Sequence, residues 1–579
     1  MKIFRNATYY RMAFLFLAFS LNSLYAQSQE GETKGKEVDK IFSSVDRENR
    51  PGAAVAIVKD GEIVFKKGYG MANLEYDIPV TSSTIFHIAS VSKQFTTFSI
   101  LLLEKDGLLS LDDDVRKYIP EVPDFGKTIT LRHLAHHTSG LRDQWNLLAL
   151  AGWRLDDVIT REHILKLVSK QKELNFEPGE EMLYCNTGYT LLAEVVARVS
   201  GLSFAQFTEE RIFRPLQMNH TLFYDDHELI VKNRAYSYKR EGKAYKKSVL
   251  SYANVGATSL FTNVEDMSLW ALNFEDPVVG DASILKKLRT KAVLNKGDTI
   301  NYALGQSVFN YRGLECIGHG GADAGYRSNI TRVPEQGFSV VVLSNYGAFN
   351  PSGISNRVMN LYLADAIQKK KAESEKEEDK KGKEQKKDEE LSKETEGPVI
   401  DPDTLNAYLG DYEAGPGVII KILMEEADLI ARMTGEDDVK LKPVTTSKFD
   451  VLGTNVQVSF ARNDGQEIES LRIHQNGEIS IAPRLADFDP ELVELSQYEG
   501  EFYSDELSTS YEFINEQDTL RARHQRHSDI ILSPVKRDNF SGNTWFFGAL
   551  DFVRDTSGSI TGCKVSSGRI RNVYFRKVD

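Results

Sequence analysis

The sequence predicts an α+β domain followed by two small antiparallel β-barrel domains. Three observations carry that expectation. Strand hairpins flank a mostly helical stretch within residues 36–368. A densely charged run follows at 369–398. Beyond it the chain repeats itself with offsets of 90, 91 and 92 residues.

Taken in order, residues 1–26 read as a secretory signal. Lys2, Arg5 and Arg11 precede the apolar run Met12 to Leu21, and Tyr25-Ala26 before Gln27 is a plausible cleavage point. The run is too short to span a bilayer comfortably. A periplasmic or secreted protein with no membrane span after signal removal is expected.

Glu37–Glu48 has an amphipathic helical pattern. Val55–Val58, Asp60-Gly61 and Ile63–Phe65 spell a hairpin with an Asp-Gly turn. Gly325–Arg332 and Phe338–Leu343 flank Pro334-Glu335-Gln336-Gly337 as a second hairpin. Between them Val91–Lys105, Thr190–Val199 and Val264–Phe274 are helical, with Thr262-x-x-Glu265 as a capping-box signature for the last. Asn356–Gln368 reads as a closing helix. Strands at both ends and helices between them imply an antiparallel sheet beside a helical region, with a cleft between.

Residues 369–396 hold ten Lys and eleven acidic residues and no aromatic. Such a segment buries too little apolar surface to offset its ordering entropy, so a linker with a frayed helix is expected. In the repeats, 399–488 and 489–579, Leu405-x-x-Tyr408-x-Gly410-x-Tyr412 recurs as Leu495-x-x-Tyr498-x-Gly500-x-Phe502. Leu441-x-Pro443-Val444-x4-Phe449 recurs as Leu532-x-Pro534-Val535-x4-Phe540, and Phe460-x-Arg462 as Phe552-x-Arg554. Alternating stretches separated by turn residues make each copy a small antiparallel β domain, its Tyr and Phe residues forming the core.

With 41% hydrophobic and 27% charged residues the chain can bury real cores. Lys+Arg 71 against Asp+Glu 84 gives a net charge of −13, which argues against a nucleic-acid partner. Cys185, Cys316 and Cys563 are too few and too scattered for a disulfide framework. His133, His136 and His137 cluster on one helix, but no HExxH occurs and no carboxylate follows at metalloprotease spacing. No metal or cofactor is called for. Oligomeric state has no signal in these motifs.

The chemistry lies in three short elements. Ser90-Val91-Ser92-Lys93 opens a helical run, placing a hydroxyl and an amine one turn apart on one face. A lysine becomes a base only when burial or a neighbouring cation lowers its pKa. Tyr184-Cys185-Asn186 follows Phe176-x-Pro178-Gly179 and precedes another helix. A tyrosine there can relay a proton, and an asparagine can hold both an amine and an amide. His319-Gly320-Gly321 precedes a strand, and two glycines allow close approach to the backbone.

In this order and spacing, the three elements resemble the penicillin-recognising serine hydrolases, in particular the class C β-lactamase-related family, with its DD-carboxypeptidases, D-aminopeptidases and esterases. Leu134-x-x-His137-Thr138-Ser139-Gly140-Leu141, Leu260-Phe261-Thr262 and Asp266-Met267 add to the likeness, which covers roughly residues 36–365. The resemblance implies a β-lactamase/transpeptidase-like domain with Ser90 as the acylated nucleophile and Lys93 as its activating partner. Tyr184 would share the general-base role and protonate the leaving group. Asn186 would bind the substrate amide and Lys93. His319 would stand where penicillin-binding relatives carry lysine, and the N–H groups of Ser90 and Ala322 would form the oxyanion hole.

The expected partner is a small ester or a peptide, D-amino-acid or peptidoglycan-derived peptides included. The alternatives are a non-hydrolysing sensor and a true β-lactamase or DD-carboxypeptidase. Two departures from the family pattern matter. Cys185 replaces a common serine and reads as a small packed residue. His319, mostly neutral near pH 7, would grip a substrate carboxylate weakly, which favours substrates without one at that place. The C-terminal pair resembles the barrels of the D-aminopeptidases of this family, where one barrel inserts a loop near the cleft. The long charged linker argues for looser docking here.

Overall fold

The computed structural model describes residues 31–381, 398 and 400–578, apart from breaks at 416–417, 426–427, 434–437, 453, 455, 476–477, 487 and 490–492. Residues 1–26, where a signal is expected, and most of the linker lie outside the described residues. Among the described residues no helix is long and apolar enough to cross a membrane.

Six strands build one antiparallel sheet. They are β1 (Ala53–Lys59), β2 (Glu62–Tyr69), β3 (Ser307–Tyr311), β4 (Leu314–Asp323), β5 (Tyr326–Val333) and β6 (Phe338–Ser344), in the order β3-β4-β5-β6-β1-β2. The first and last strands of the domain therefore meet in the middle, β1 against β6, with Val55 opposite Val342. The Asp60-Gly61 turn has φ of +52° and +81°, the left-handed pair that a two-residue hairpin needs.

The main helices are α1 (residues 31–42), α2 (Lys93–Lys105), α3 (Gln144–Leu150), α4 (Asn186–Ser200), α5 (Val264–Leu272), α6 (Pro351–Tyr362) and α7 (Ala364–Lys381). Strand β1 is buried on both faces because helices cover both. Ala53, Val55 and Ile57 face Val38 and Phe42 of α1 and Val358 and Met359 of α6. Ala54, Ala56 and Val58 face the larger core that holds Phe95, Met267 and Trp270.

Three local expectations are corrected. Helix α1 ends at residue 42, short of the expected 48. The closing helix is two helices meeting at Leu363. The first starts at Pro351, where Asn350 accepts from the Gly353 N–H and proline has no N–H that needs an acceptor. The second runs past 368 to Lys381, so the charged segment begins as helix. At α5 the cap is Asn263, whose side chain accepts from the Asp266 N–H. Thr262 is held in a strand and pairs with Thr221, while Glu265 takes Lys66 and Ser82 instead of closing a box.

The repeat unit is the barrel. Eight strands between Gly410 and Pro483 form one sheet whose ends approach through a Tyr412–Arg484 bridge, and eight between Gly500 and Val578 close completely. The repeated aromatics are the cores. Tyr408 stacks on Phe460 with ring centroids 4.0 Å apart, and the equivalent Tyr498 packs on Phe552 at 4.7 Å.

The second barrel is not loosely docked. Its buried apolar residues are continuous with the helical core of the first domain. Helix α3 ends against it, and two of the last carbonyls of that turn accept from barrel side chains. Tyr511 Oη donates to Leu150 O at 3.0 Å and His527 Nε2 to Ala149 O at 2.8 Å. A Cβ on Gly152 would lie 2.1 Å from the His524 ring. Arg142 and Glu506 pair at 2.7 Å with side chains only 1% and 5% exposed, and Arg142 also donates to Arg571 O at 2.8 Å. The linker composition says nothing of this interface, because apolar and ionic surface far from the linker makes it.

Removing one member of a buried pair strands the other charge. Arg142→Met should therefore cost ~3–5 kcal/mol in chemical denaturation. Adding Glu506→Gln in the same chain should recover part of that loss.

Candidate active site

The nucleophile turn is a single 3-10 turn, Ala89–Ser92, ahead of α2. Ser90 thus precedes the α-helix, and Lys93 is its first residue, a correction to the helix-start placement of the serine. Ala89 has φ of +49°, a left-handed conformation that costs an alanine energy and recurs at functional sites. Strand β4 closes on this turn. A Cβ on Gly321 would meet Ile88 O and Ser328 Oγ, each at 2.3 Å. Glycine at 321 therefore serves the packing of the sheet on the turn. Gly320 has open space around its α-carbon and is exposed, as is Ala322.

Lys93 is wholly buried. Its Nζ lies 2.9 Å from Asn186 Oδ1, 2.8 Å from Ala257 O and 3.2 Å from Ser90 Oγ. Two of these neighbours are carbonyl oxygens, which only accept. A neutral amine has two N–H groups and one lone pair. With both N–H groups committed to the carbonyls, the lone pair is left to the Ser90 hydroxyl. Burial pulls the amine down to about 7, with Arg569 helping and Asp143 and Asp323 opposing.

Asn186 is oriented from behind. Asp143 Oδ2 accepts from its backbone N at 2.7 Å and its Nδ2 at 2.8 Å, which turns Oδ1 to Lys93. Asp143 is also the N-cap of α3, accepting from Trp145 N. Tyr184 stacks beside the amine, with Lys93 Nζ 4.8 Å from its ring centroid. Among the described residues the buried Tyr184 hydroxyl has no hydrogen-bond partner, although Ser90 is near enough to favour its ionisation. Burial outweighs that influence and raises the phenol, so it stays protonated at neutral pH.

His319 lies on β4 with Tyr302 and Tyr184 beside it. Its Nδ1 is 2.5 Å from Gly320 O, so that nitrogen carries the proton, and Nε2 accepts from Tyr302 Oη at 3.1 Å. Burial and Lys93 lower the ring to about 4, so it is neutral. Cys185 is a packed thiol whose Sγ faces Leu141 O at 3.3 Å, and burial pushes it up to about 12. The histidine cluster divides. His133 Nδ1 accepts from Thr130 N at the start of a short helix, while His137 accepts from Cys185 N and packs on Tyr184 at 4.1 Å.

The structure thus brings Ser90, Lys93, Tyr184, Asn186 and His319 to one cleft. Sequence reasoning missed Asp143, Ala257, Tyr302 and Arg569. Asp143 stood two residues beyond the quoted Leu134–Leu141 motif. Ala257 acts through its backbone, so its identity carries no signal.

A serine hydroxyl against a buried amine, beside an unpartnered phenol in a sheet-and-helix cleft, defines a serine hydrolase of the peptidase/esterase type. The comparisons agree: a beta-lactamase family model matches residues 38–363. The chain belongs to the beta-lactamase family. It is 26% identical over 552 residues to a D-aminopeptidase of Brucella anthropi, covering 91% of this chain and 95% of that one. It is 24% identical to penicillin-binding protein 4* of Bacillus subtilis, covering 78% and 99% of the two chains. The octameric penicillin-binding protein homologue from Pyrococcus abyssi shares the fold, with a TM-score of 0.53, 21% identity, and 86% and 99% coverage.

A base with a pKa near 7 is free above that pH. The rate at which a fluorophosphonate modifies Ser90 should rise through about pH 7 and then level off. Lys93→Arg keeps a permanent charge there, and should abolish the rise and lower the rate by ~10²–10⁴-fold.

Proposed function

We propose that the protein is an exported serine hydrolase that cleaves a peptide, amide or small ester through an acyl-enzyme, with D-amino-acid peptides as its favoured substrates. The observation that carries this reading is the Lys93 amine, whose two N–H groups are taken by Asn186 Oδ1 and Ala257 O and whose lone pair faces Ser90. Export rests on the charge and apolar pattern of residues 1–26. The D-amino-acid preference rests on likeness to a D-aminopeptidase along almost the whole length of both chains.

Ser90 Oγ bonds to the substrate carbonyl carbon as its proton passes to Lys93 Nζ. The backbone N–H groups of Ser90 and Ala322 take the oxyanion, where donors stabilise charge only as it develops. The carbon–nitrogen or carbon–oxygen bond then breaks, and the leaving atom takes the Tyr184 proton. Tyr184 regains that proton from Lys93. Water repeats the sequence on the acyl-enzyme. The raised phenol makes Tyr184 the acid and leaves the base role to Lys93 alone. Asn186, fixed by Asp143, keeps one amide N–H for a substrate carbonyl. Gly320 and His319 line the strand edge along which an extended substrate lies.

Ser90→Ala should remove all hydrolysis from a panel of D-amino-acid amides, D-dipeptides, p-nitrophenyl esters and nitrocefin. Mass spectrometry of wild type quenched during turnover should find the acyl group on Ser90. Hydrolysis that survives Ser90→Ala would sink the proposal. Asp143→Asn should lower kcat by about 10-fold or more, because a tenfold loss needs only 1.4 kcal/mol of misplacement at Asn186.

A further inference from the structure

The last hairpin of the second barrel, Ile560–Ser567 and Ile570–Val578, turns at Gly568-Arg569. Gly568 has φ of +41°, which a tight turn takes most easily with glycine. The turn is anchored to the first domain. Arg569 O accepts from Asp143 N at 3.3 Å and from Asn175 Nδ2 at 3.0 Å. Asn175 Oδ1 accepts from Arg571 N at 2.8 Å, and the Arg571 guanidinium pairs with Glu181 at 2.8 Å. Arg569 and Arg571 thus fix the hairpin tip to Asp143 and to the segment Asn175–Glu181 that leads into Tyr184.

The Arg569 side chain is what the anchoring delivers. Its guanidinium carbon stands 4.9 Å from the Tyr184 ring centroid. The side chain is exposed, and among the described residues it forms no ion pair. Neighbouring Asp143 is occupied by Asn186 and Trp145, and Asp323 accepts from Thr258 Oγ1 at 2.8 Å. The other arginines of the turn region differ. Arg142 and Arg571 are both spent on carboxylates. A guanidinium over an aromatic ring keeps its N–H edge for a bidentate carboxylate.

We infer that Arg569, supplied by the second barrel, is a specificity residue that binds a carboxylate on the leaving-group side of the substrate. The side follows from Tyr184, which donates to the leaving atom in the proposal above, so this part rests on that reading. The inference also revises the expectation drawn from His319. That ring is neutral and tied to Tyr302, yet the cleft does not lack a cation, because the barrel brings one. The favoured substrate releases an amino acid with a free carboxylate, as a dipeptide does and a simple amide does not.

The test compares D-alanyl-D-alanine with D-alanyl-D-alaninamide, which differ only in that carboxylate. Wild type should favour the acid in kcat/KM. Arg569→Ala should reduce the acid-over-amide ratio by about 10- to 100-fold, the loss expected for a charged hydrogen-bonded contact. The change should fall mainly on KM. Arg569→Lys should recover part of the ratio, and Arg569→Glu should invert it. An unchanged ratio in Arg569→Ala would overturn the inference and leave the arginine a docking residue.

A second measurement needs no turnover. Calorimetry on Ser90→Ala should find tighter binding of the acid than of the amide, and Ser90→Ala with Arg569→Ala should bind the two alike. Equal binding in the single variant also overturns the inference. If the acid binds tighter but neither compound acylates wild type at Ser90, the acyl-enzyme reading fails while the carboxylate contact stands.

Discussion

An amine buried beyond the reach of water, facing two backbone and amide carbonyls and one hydroxyl, sets the terms for everything around it. A protonated lysine in that place would need a buried counter-ion, and among the described residues no carboxylate touches it. Burial of a charge without a direct partner is what lowers its pKa. The neutral form then has a single geometry open to it, because carbonyls cannot donate. The reactivity of Ser90 is thus a consequence of how α2, α4 and the Ala257 backbone pack, and the unusual backbone of Ala89 is the local cost of bringing the hydroxyl there.

The orientation of Asn186 links this centre to the rest of the chain. Asp143 holds Asn186 with one carboxylate oxygen and starts α3 with the other. The far end of α3 is capped by Tyr511 and His527 of the second barrel. Arg142, adjacent in sequence to Asp143, is the buried ionic contact with that same barrel. A seven-residue helix therefore has its first turn in the cleft and its last turn in the domain interface.

Much of this was legible in the sequence, for physical reasons that differ by element. The Asp60-Gly61 hairpin and the barrel repeats could be read because turn chemistry and alternating apolar residues are local. Ser90, Lys93, Tyr184, Asn186 and His319 could be read because their spacing matches a family. Thr262 and Asn263 can both cap, and only the strand that occupies Thr262 decides between them. Ala257 and the Arg569 turn lie far from the motifs and meet them only through tertiary packing. The docking of the second barrel is invisible in the connecting segment, because the buried surfaces that hold it lie elsewhere in the chain.

The continuity of the apolar core across the two domains changes what the covalent connection between them is for. The contact rests on buried side chains and on hydrogen bonds that the barrel donates to carbonyls at the end of α3. Severing the polypeptide between them would turn one chain into a heterodimer of fragments, still assembled and still presenting the hairpin tip to the catalytic cleft. The peptide link raises the local concentration of one part near the other; the interface itself does the holding.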